Sequence, residues 1–144
     1  MREMNYDMLK LENQICFPLY AAAREVVKRY RPHLDALDLT YTQYITMMLL
    51  WEHEEISVKA LGKRLFLDSG TMTPVLKSLE TKGYVTRARS TSDERSVNIR
   101  ITAKGEELKR SAAEIPAKVA GCVALEPNEA IQLYTLLYKI LREE

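Results

Sequence analysis

The amino-acid sequence predicts a mainly α-helical fold carrying one small β-hairpin. Apolar residues recur at helical spacing over most of the 144 residues, and most of these runs open at Ser, Thr, Asp or Pro. Only two segments, residues 84–89 and 97–102, alternate in the manner of strands. They flank the polar stretch Thr91-Ser92-Asp93-Glu94-Arg95, a turn composition between two short strands.

The first helix is expected over residues 11–30, ending before Arg31-Pro32 because proline disfavours the helical conformation of its predecessor. Pro18 leaves its start open. A regular helix beginning there puts Cys16 at or next to the N-terminus, whereas an earlier start gives a kink at Pro18. Thr40 or Thr42 caps a second helix over 43–53, with Ile45, Met48, Leu49, Trp51 and Glu52 defining an amphipathic face. Ser57 caps a third over 58–65, with Val58, Leu61 and Leu65 on one side. Asp68 or Ser69 caps a fourth that stops at Lys82-Gly83, where glycine supplies a left-handed residue. Met72, Val75, Leu76 and Leu79 point that helix inward, leaving Ser69, Thr71, Thr73, Lys77 and Thr81 outside. Thr102 caps a long fifth helix over 103–123, bent at Pro116. Pro127 opens the last, with Ile131, Tyr134, Leu137, Tyr138 and Leu141 as a broad apolar stripe.

Helix, turn, helix and hairpin in that order outline a winged helix-turn-helix, a shape that presents one helix and one hairpin to duplex DNA. The net charge is only +1, but its distribution fits a polyanionic partner. Residues 57–105 hold ten Lys and Arg against four acids, a local charge of +6, while the remainder carries −5. The terminal helices are more apolar than a small winged unit needs. They predict a homodimer through the N- and C-terminal helices, its two reading helices facing an inverted repeat in a double-stranded DNA operator.

Other classes find little support. His33 and His53 are the only histidines, and no HExxH, CxxC or phosphate-cradling glycine loop occurs. No metal, cofactor or catalytic constellation is expected. No apolar run approaches a membrane span, and no secretory core follows Met1-Arg2-Glu3-Met4, which predicts a cytoplasmic protein without a membrane partner.

The segment Asp93-Glu94-Arg95-Ser96-Val97-Asn98-Ile99-Arg100-Ile101-Thr102 resembles the wing signature of the MarR family of bacterial transcription regulators. Leu61-Gly62 and Asp68-Ser69-Gly70-Thr71-Met72-Thr73-Pro74-Val75-Leu76 resemble that family's DNA-reading helices. The run Leu11-Glu12-Asn13-Gln14-Ile15-Cys16-Phe17-Pro18-Leu19-Tyr20, with Leu39-Thr40-Tyr41-Thr42-Gln43-Tyr44 and Leu50-Trp51-Glu52, is similar to the OhrR-type organic-hydroperoxide sensors within it. Pro18 and Thr42 depart from the commonest pattern of that branch.

The resemblance implies one MarR-like domain over 1–144, with its winged unit at 40–102 and dimerisation helices at 9–32 and 103–144. Ser69, Gly70, Thr71, Thr73 and Lys77 would meet the major groove. Arg87 and Arg89 would meet phosphates, and Arg95 braced by Asp93 would enter the minor groove. It also implies a thiol sensor, and a thiol senses oxidant only as its thiolate. Tyr30 and Tyr41 would donate phenolic O–H groups to the Cys16 sulfur, within one protomer or across two. Tyr20, four residues on, would line the pocket, with Ile15, Phe17 and Met47 or Met48 favouring an organic hydroperoxide. Cys122 falls where some members of the branch carry a second cysteine. Sulfenic acid at Cys16 would then be resolved by Cys122 of the other subunit or capped by a small thiol. Two other functions fit the residues: a repressor of this family released by a phenolic ligand, and a thiol peroxidase using Cys16 and Arg24.

Overall fold

A computed structural model of the chain describes residues 2–89 and 96–142. After 3₁₀ turns at Asp7–Leu9 and Leu11–Asn13 come α1 (Cys16–Asp35), α2 (Tyr41–His53), β1 (Glu55–Ser57), α3 (Val58–Leu65) and α4 (Ser69–Thr81). Strands β2 (Val85–Arg89) and β3 (Val97–Ile101) follow, then α5 (Ala103–Ala112), α6 (Ile115–Val119), a 3₁₀ turn at Ala120–Cys122, and α7 (Pro127–Leu141). The mainly helical class with a winged helix-turn-helix stands.

Local chemistry sets most boundaries. Thr40 Oγ1 accepts from the Gln43 amide at 3.2 Å, and the Gln43 side chain accepts from the Thr40 amide at 3.0 Å, a closed capping box. Ser57 caps α3 through the Ala60 amide, Asp68 caps α4 through Thr71, and Thr102 caps α5 through Gly105. Gly83 takes φ 82° just past α4, a conformation that costs glycine little.

Four expectations are corrected. The first helix begins at Cys16 rather than 11 and runs through Pro32 to Asp35. Pro32 gives up one backbone bond, but continuing the helix buries Leu34, and tertiary burial outweighs the local preference. The long fifth helix is broken rather than bent. The Pro116 ring would clash with the carbonyl four residues earlier, at Ala112, where α5 ends; α6 restarts with Pro116 in its first turn. The wing is a three-stranded antiparallel sheet of order β1-β3-β2, not a hairpin alone, with Ile56 paired to Ile99 and Arg87 to Ile99 on the other side. Lastly, α2 buries Gln43, Tyr44, Thr46, Met47 and Leu50, while Met48 and Glu52 are exposed. Its apolar residues encircle it because it packs on two sides.

Those two sides are two cores. The first gathers Met47, Leu50, Leu61, Met72, Leu76, Leu79, Val85 and Ile99 beneath the winged unit. The second gathers Leu34, Tyr44, Ala112, Ile115 and Val119, with Tyr30, Tyr41 and Cys122 packed against it. Trp51 touches both cores, and its indole N–H donates to the Gly105 carbonyl at 2.9 Å. By contrast α7 buries no residue, and Ile131, Tyr134, Leu136 and Ile140 lie open, as do Met8, Leu9 and Ile15 near the N-terminus.

Candidate DNA-reading face and thiol site

Helix α4 presents Ser69, Gly70, Thr71, Thr73 and Lys77 on its exposed face, while Met72, Val75, Leu76 and Leu79 anchor the opposite one. The Thr73 hydroxyl donates to the Ser69 carbonyl at 2.7 Å, so toward a partner it offers lone pairs rather than a proton. Pro74 lacks the amide that would bond the Gly70 carbonyl, which leaves an acceptor on this face. Between α3, α4 and the base of the wing runs a groove of about 550 Å³, edged by Ser57, Lys59, Lys63, Ser69, Thr73 and Arg87. The groove floor is apolar, formed by Val58, Leu67, Met72, Leu76 and Val97, and it is the three cations and the hydroxyls on its rim that suit phosphate oxygens. Arg87 lies 3.8 Å from the Glu80 carboxylate, half exposed, and Arg89 is exposed near the outer end of β2. Asp93 and Arg95 lie outside the described residues.

Asp68 holds the start of this helix. Its carboxylate accepts from the Thr71 amide at 2.8 Å, and that backbone bond, with a second from the Thr71 side chain, holds its pKa below the ordinary carboxylate value. A depressed folded pKa means stabilisation present above the unfolded pKa and lost as pH falls through the folded one. The unfolding temperature of the wild-type chain should therefore fall more steeply than that of Asp68→Asn on acidification below about pH 4. Parallel thermal melts would contradict this.

The two cysteines, both free thiols, occupy different surroundings. Cys16 is exposed as the first residue of α1, with no side chain capping that terminus. Pro18 lies two positions on and brings no amide, and the Leu19 amide bonds the Ile15 carbonyl, so the N–H groups that a helix start leaves open beside the sulfur are those of Cys16 and Phe17. Tyr20 is exposed four residues along, with the Arg24 guanidinium 5.5 Å from its ring centre. Cys122 is half-buried beside Tyr30, against the core on which Tyr41 also packs, and Arg29 donates to its carbonyl.

Tyr30 meets Tyr41 edge-on at 5.1 Å between ring centres, and Tyr44 closes a triangle at 6.0 and 6.3 Å. Burial pushes all three phenols above their ordinary pKa; for Tyr30, the neighbouring Tyr41, Tyr44 and Cys122 push in the same direction. They remain neutral O–H groups at physiological pH. Fourteen residues of helix separate Cys16 from Tyr30, a rise of about 21 Å. Within one protomer the thiol beside Tyr30 is therefore Cys122, and the expected Cys16–tyrosine pocket does not form there. Met47 belongs to the winged core, leaving exposed Met48 on α2 as the candidate for a surface pocket. Tyr44 and Gln43 are additions to the residues singled out in the sequence. The i, i+3 spacing of Tyr41 and Tyr44 was the available signal for the first.

Residues 28–112 match the family model described as transcriptional regulator SarA/Rot. The chain belongs to this family. The SarA/Rot match takes in the last eight residues of α1 and everything from α2 to the end of α5, and so the winged unit and the tyrosine triangle. The chain is 49% identical over 139 residues to the organic hydroperoxide resistance transcriptional regulator of Bacillus subtilis, covering 96% of this chain and 95% of that one. The structure of reduced AbfR bound to DNA, from Staphylococcus epidermidis, superposes with a TM-score of 0.77 at 32% identity, covering 96% of both chains. Disulfide-formed AbfR superposes with a TM-score of 0.65 at 30% identity, covering 94% of this chain and 96% of that one. The SarA/Rot proteins and these relatives are regulators of transcription, not enzymes, which sets aside the thiol-peroxidase reading. The resemblance to the hydroperoxide-sensing branch holds. Among the described residues no helix is long and apolar enough to cross a membrane.

Proposed function

We propose that this chain is a cytoplasmic, homodimeric repressor that binds an inverted-repeat operator and releases it when an organic hydroperoxide oxidises Cys16. The observation that carries the reading is the separation just described: an exposed thiol at the start of α1, and a second thiol beside Tyr30, one corner of the triangle of neutral tyrosines. Each half of a sensor is present, and they lie too far apart to meet in one protomer. A second copy related by a two-fold axis brings Cys16 of one protomer to the tyrosine triangle of the other. The open apolar residues of α7 and of the N-terminal segment supply the surface such a pairing would bury.

The chemistry follows from the sulfur. The Cys16 thiolate attacks the outer oxygen of the hydroperoxide, its O–O bond breaks, and the alcohol leaves, giving sulfenic acid. The tyrosine hydroxyls stabilise the attacking anion. The Cys122 thiolate of the second copy then attacks the sulfenic sulfur, forming the disulfide with loss of hydroxide, which leaves as water. Joining sulfurs that belong to different helices requires their α-carbons within about 7 Å, so α1 of one copy and the α6 end of the other must close up. That movement shifts the two α4 helices away from the spacing of their half-sites. The closer superposition on reduced, DNA-bound AbfR than on its disulfide form supports reading the present conformation as the DNA-competent one.

On DNA, α4 enters the major groove with Ser69, Gly70, Thr71, Thr73 and Lys77, Arg87 and Arg89 hold phosphates, and the family resemblance assigns Asp93 and Arg95, outside the described residues, to the minor groove. The winged unit at 40–102 reads DNA, and 9–32 with 103–144 dimerise, within one domain over 1–144. The deciding experiment measures operator binding of reduced and tert-butyl-hydroperoxide-treated protein, with non-reducing electrophoresis alongside. Loss of binding together with a crosslinked dimer is the expected result. Unchanged binding by fully oxidised protein would refute the proposal.

A further inference from the structure

We infer that Gln43 and Ser78 are positioning residues that carry a displacement at the tyrosine triangle to the DNA-reading helix, an inference that rests on the redox function proposed above. Gln43 is only 6% exposed. Burying an amide costs stability unless its hydrogen bonds are made, and Gln43 makes them in two directions. Its Oε1 accepts from the Thr40 amide at 3.0 Å, which closes the capping box, and from Lys82 Nζ at 3.2 Å. Its Nε2 donates to the Ser78 hydroxyl at 3.0 Å, 35 residues away on α4. The cap uses the oxygen alone. The bond from the nitrogen adds nothing to starting α2; it ties α2 to α4.

The ends of this link lie where a signal would have to pass. Tyr41 is the first residue of α2, between the cap Thr40 and Gln43, and packs against Tyr30. Ser78 is a half-buried polar residue on a helix whose other inward side chains are apolar, one residue after Lys77 on the outer face. Just past α4, Lys82 adds a second tie, bonding the Asp38 carbonyl and lying 3.6 Å from its carboxylate. Within one helical turn the backbone moves as a unit. A disulfide that closes beside the triangle and shifts Tyr41 therefore shifts Gln43, and a 3.0 Å bond gives little slack before α4 must follow. Packed interfaces with discrete polar links respond by switching arrangement rather than by stretching.

The test compares wild type, Ser78→Ala, Ser78→Thr and Gln43→Met on a DNA duplex selected for tight binding to the reduced protein. Operator Kd is measured before and after tert-butyl hydroperoxide, and the rate of intersubunit crosslinking is followed by non-reducing electrophoresis. Ser78→Ala and Gln43→Met should crosslink at the wild-type rate, yet their oxidised-to-reduced Kd ratio should fall by about fivefold or more. Ser78→Thr, which keeps the hydroxyl, should restore it. Ser78→Ala removes one oxygen from a half-buried site and decides the matter even if Gln43→Met does not fold. An unchanged ratio, including equal weakening of both forms, overturns the inference, as does a ratio that falls only because crosslinking fails. Wild-type protein that keeps its operator after oxidation would instead bring down the proposed function itself.

Discussion

Cys16→Ser is expected to bind operator as tightly as wild type and to keep it through hydroperoxide treatment. The side chain lies at the exposed start of α1, outside the groove edged by Lys59, Lys63 and Arg87, so its loss removes no DNA contact. Serine preserves size and hydrogen bonding but has no low-lying anion to attack peroxide oxygen. Reduced affinity should stay within about twofold of wild type, inside the range of a surface substitution. The oxidation response, on the order of tenfold to hundredfold for a coupled switch, should vanish. Cys122→Ser should differ from it: Cys16 still forms sulfenic acid, trapped by a dimedone probe, but no crosslinked dimer appears. Titration with operator DNA by fluorescence anisotropy, before and after tert-butyl hydroperoxide, separates the cases. Should Cys16→Ser still leave its operator on treatment, thiol sensing is wrong, and release by a phenolic ligand becomes the reading to pursue.

Gly105→Ala is expected to give the largest loss of stability from one added carbon. An added Cβ would lie 2.4 Å from the Tyr84 carbonyl oxygen and 2.7 Å from Ile101 Cγ1. The first of these is backbone and cannot rotate away. The start of α5 would have to back off from the wing, disturbing the Thr102 hydroxyl bond to the Gly83 carbonyl and the Trp51 bond to the Gly105 carbonyl. Overpacking costs about 1–3 kcal/mol, and a strained or lost indole bond adds roughly 1 kcal/mol. An unfolding temperature lower by about 10 °C should result. Gly121→Ala is the control, since an added Cβ there meets nothing within 4 Å; its melt should be nearly that of wild type. Equal melts for the two variants would mean that α5 does not press on the wing as described.

The parts of the fold legible in the sequence were those fixed by short-range chemistry. Ser57 capped α3 as expected, Asp68 proved to be the cap of α4 out of the pair Asp68 and Ser69, and Gly83 stopped α4; such ends are legible because a cap is a bond between residues three apart. Elements settled by distant partners were not legible. Glu55-Ile56-Ser57 is too short to show an alternation, and becomes a strand only by pairing with residues 98–100. The helix through Pro32 depends on where Leu34 is buried. On the reading face, the outward hydroxyls of α4 followed from periodicity alone. The candidate thiol site was legible as a set of residues to propose, Cys16, Tyr30, Tyr41 and Cys122, but not as an arrangement. No periodicity says which thiol lies beside Tyr30. That depends on α6 folding back against α1, which follows from the break between α5 and α6.

The indole of Trp51 lies in the seam between the two cores, and it belongs to the only tryptophan of the chain. Ultraviolet emission excited at the red edge of protein absorption therefore originates from a single chromophore at the joint. Any rearrangement that slides the sensing half against the reading half alters the polarity and quenching around that ring. The molecule carries its own optical gauge of the coupling, free of any attached dye.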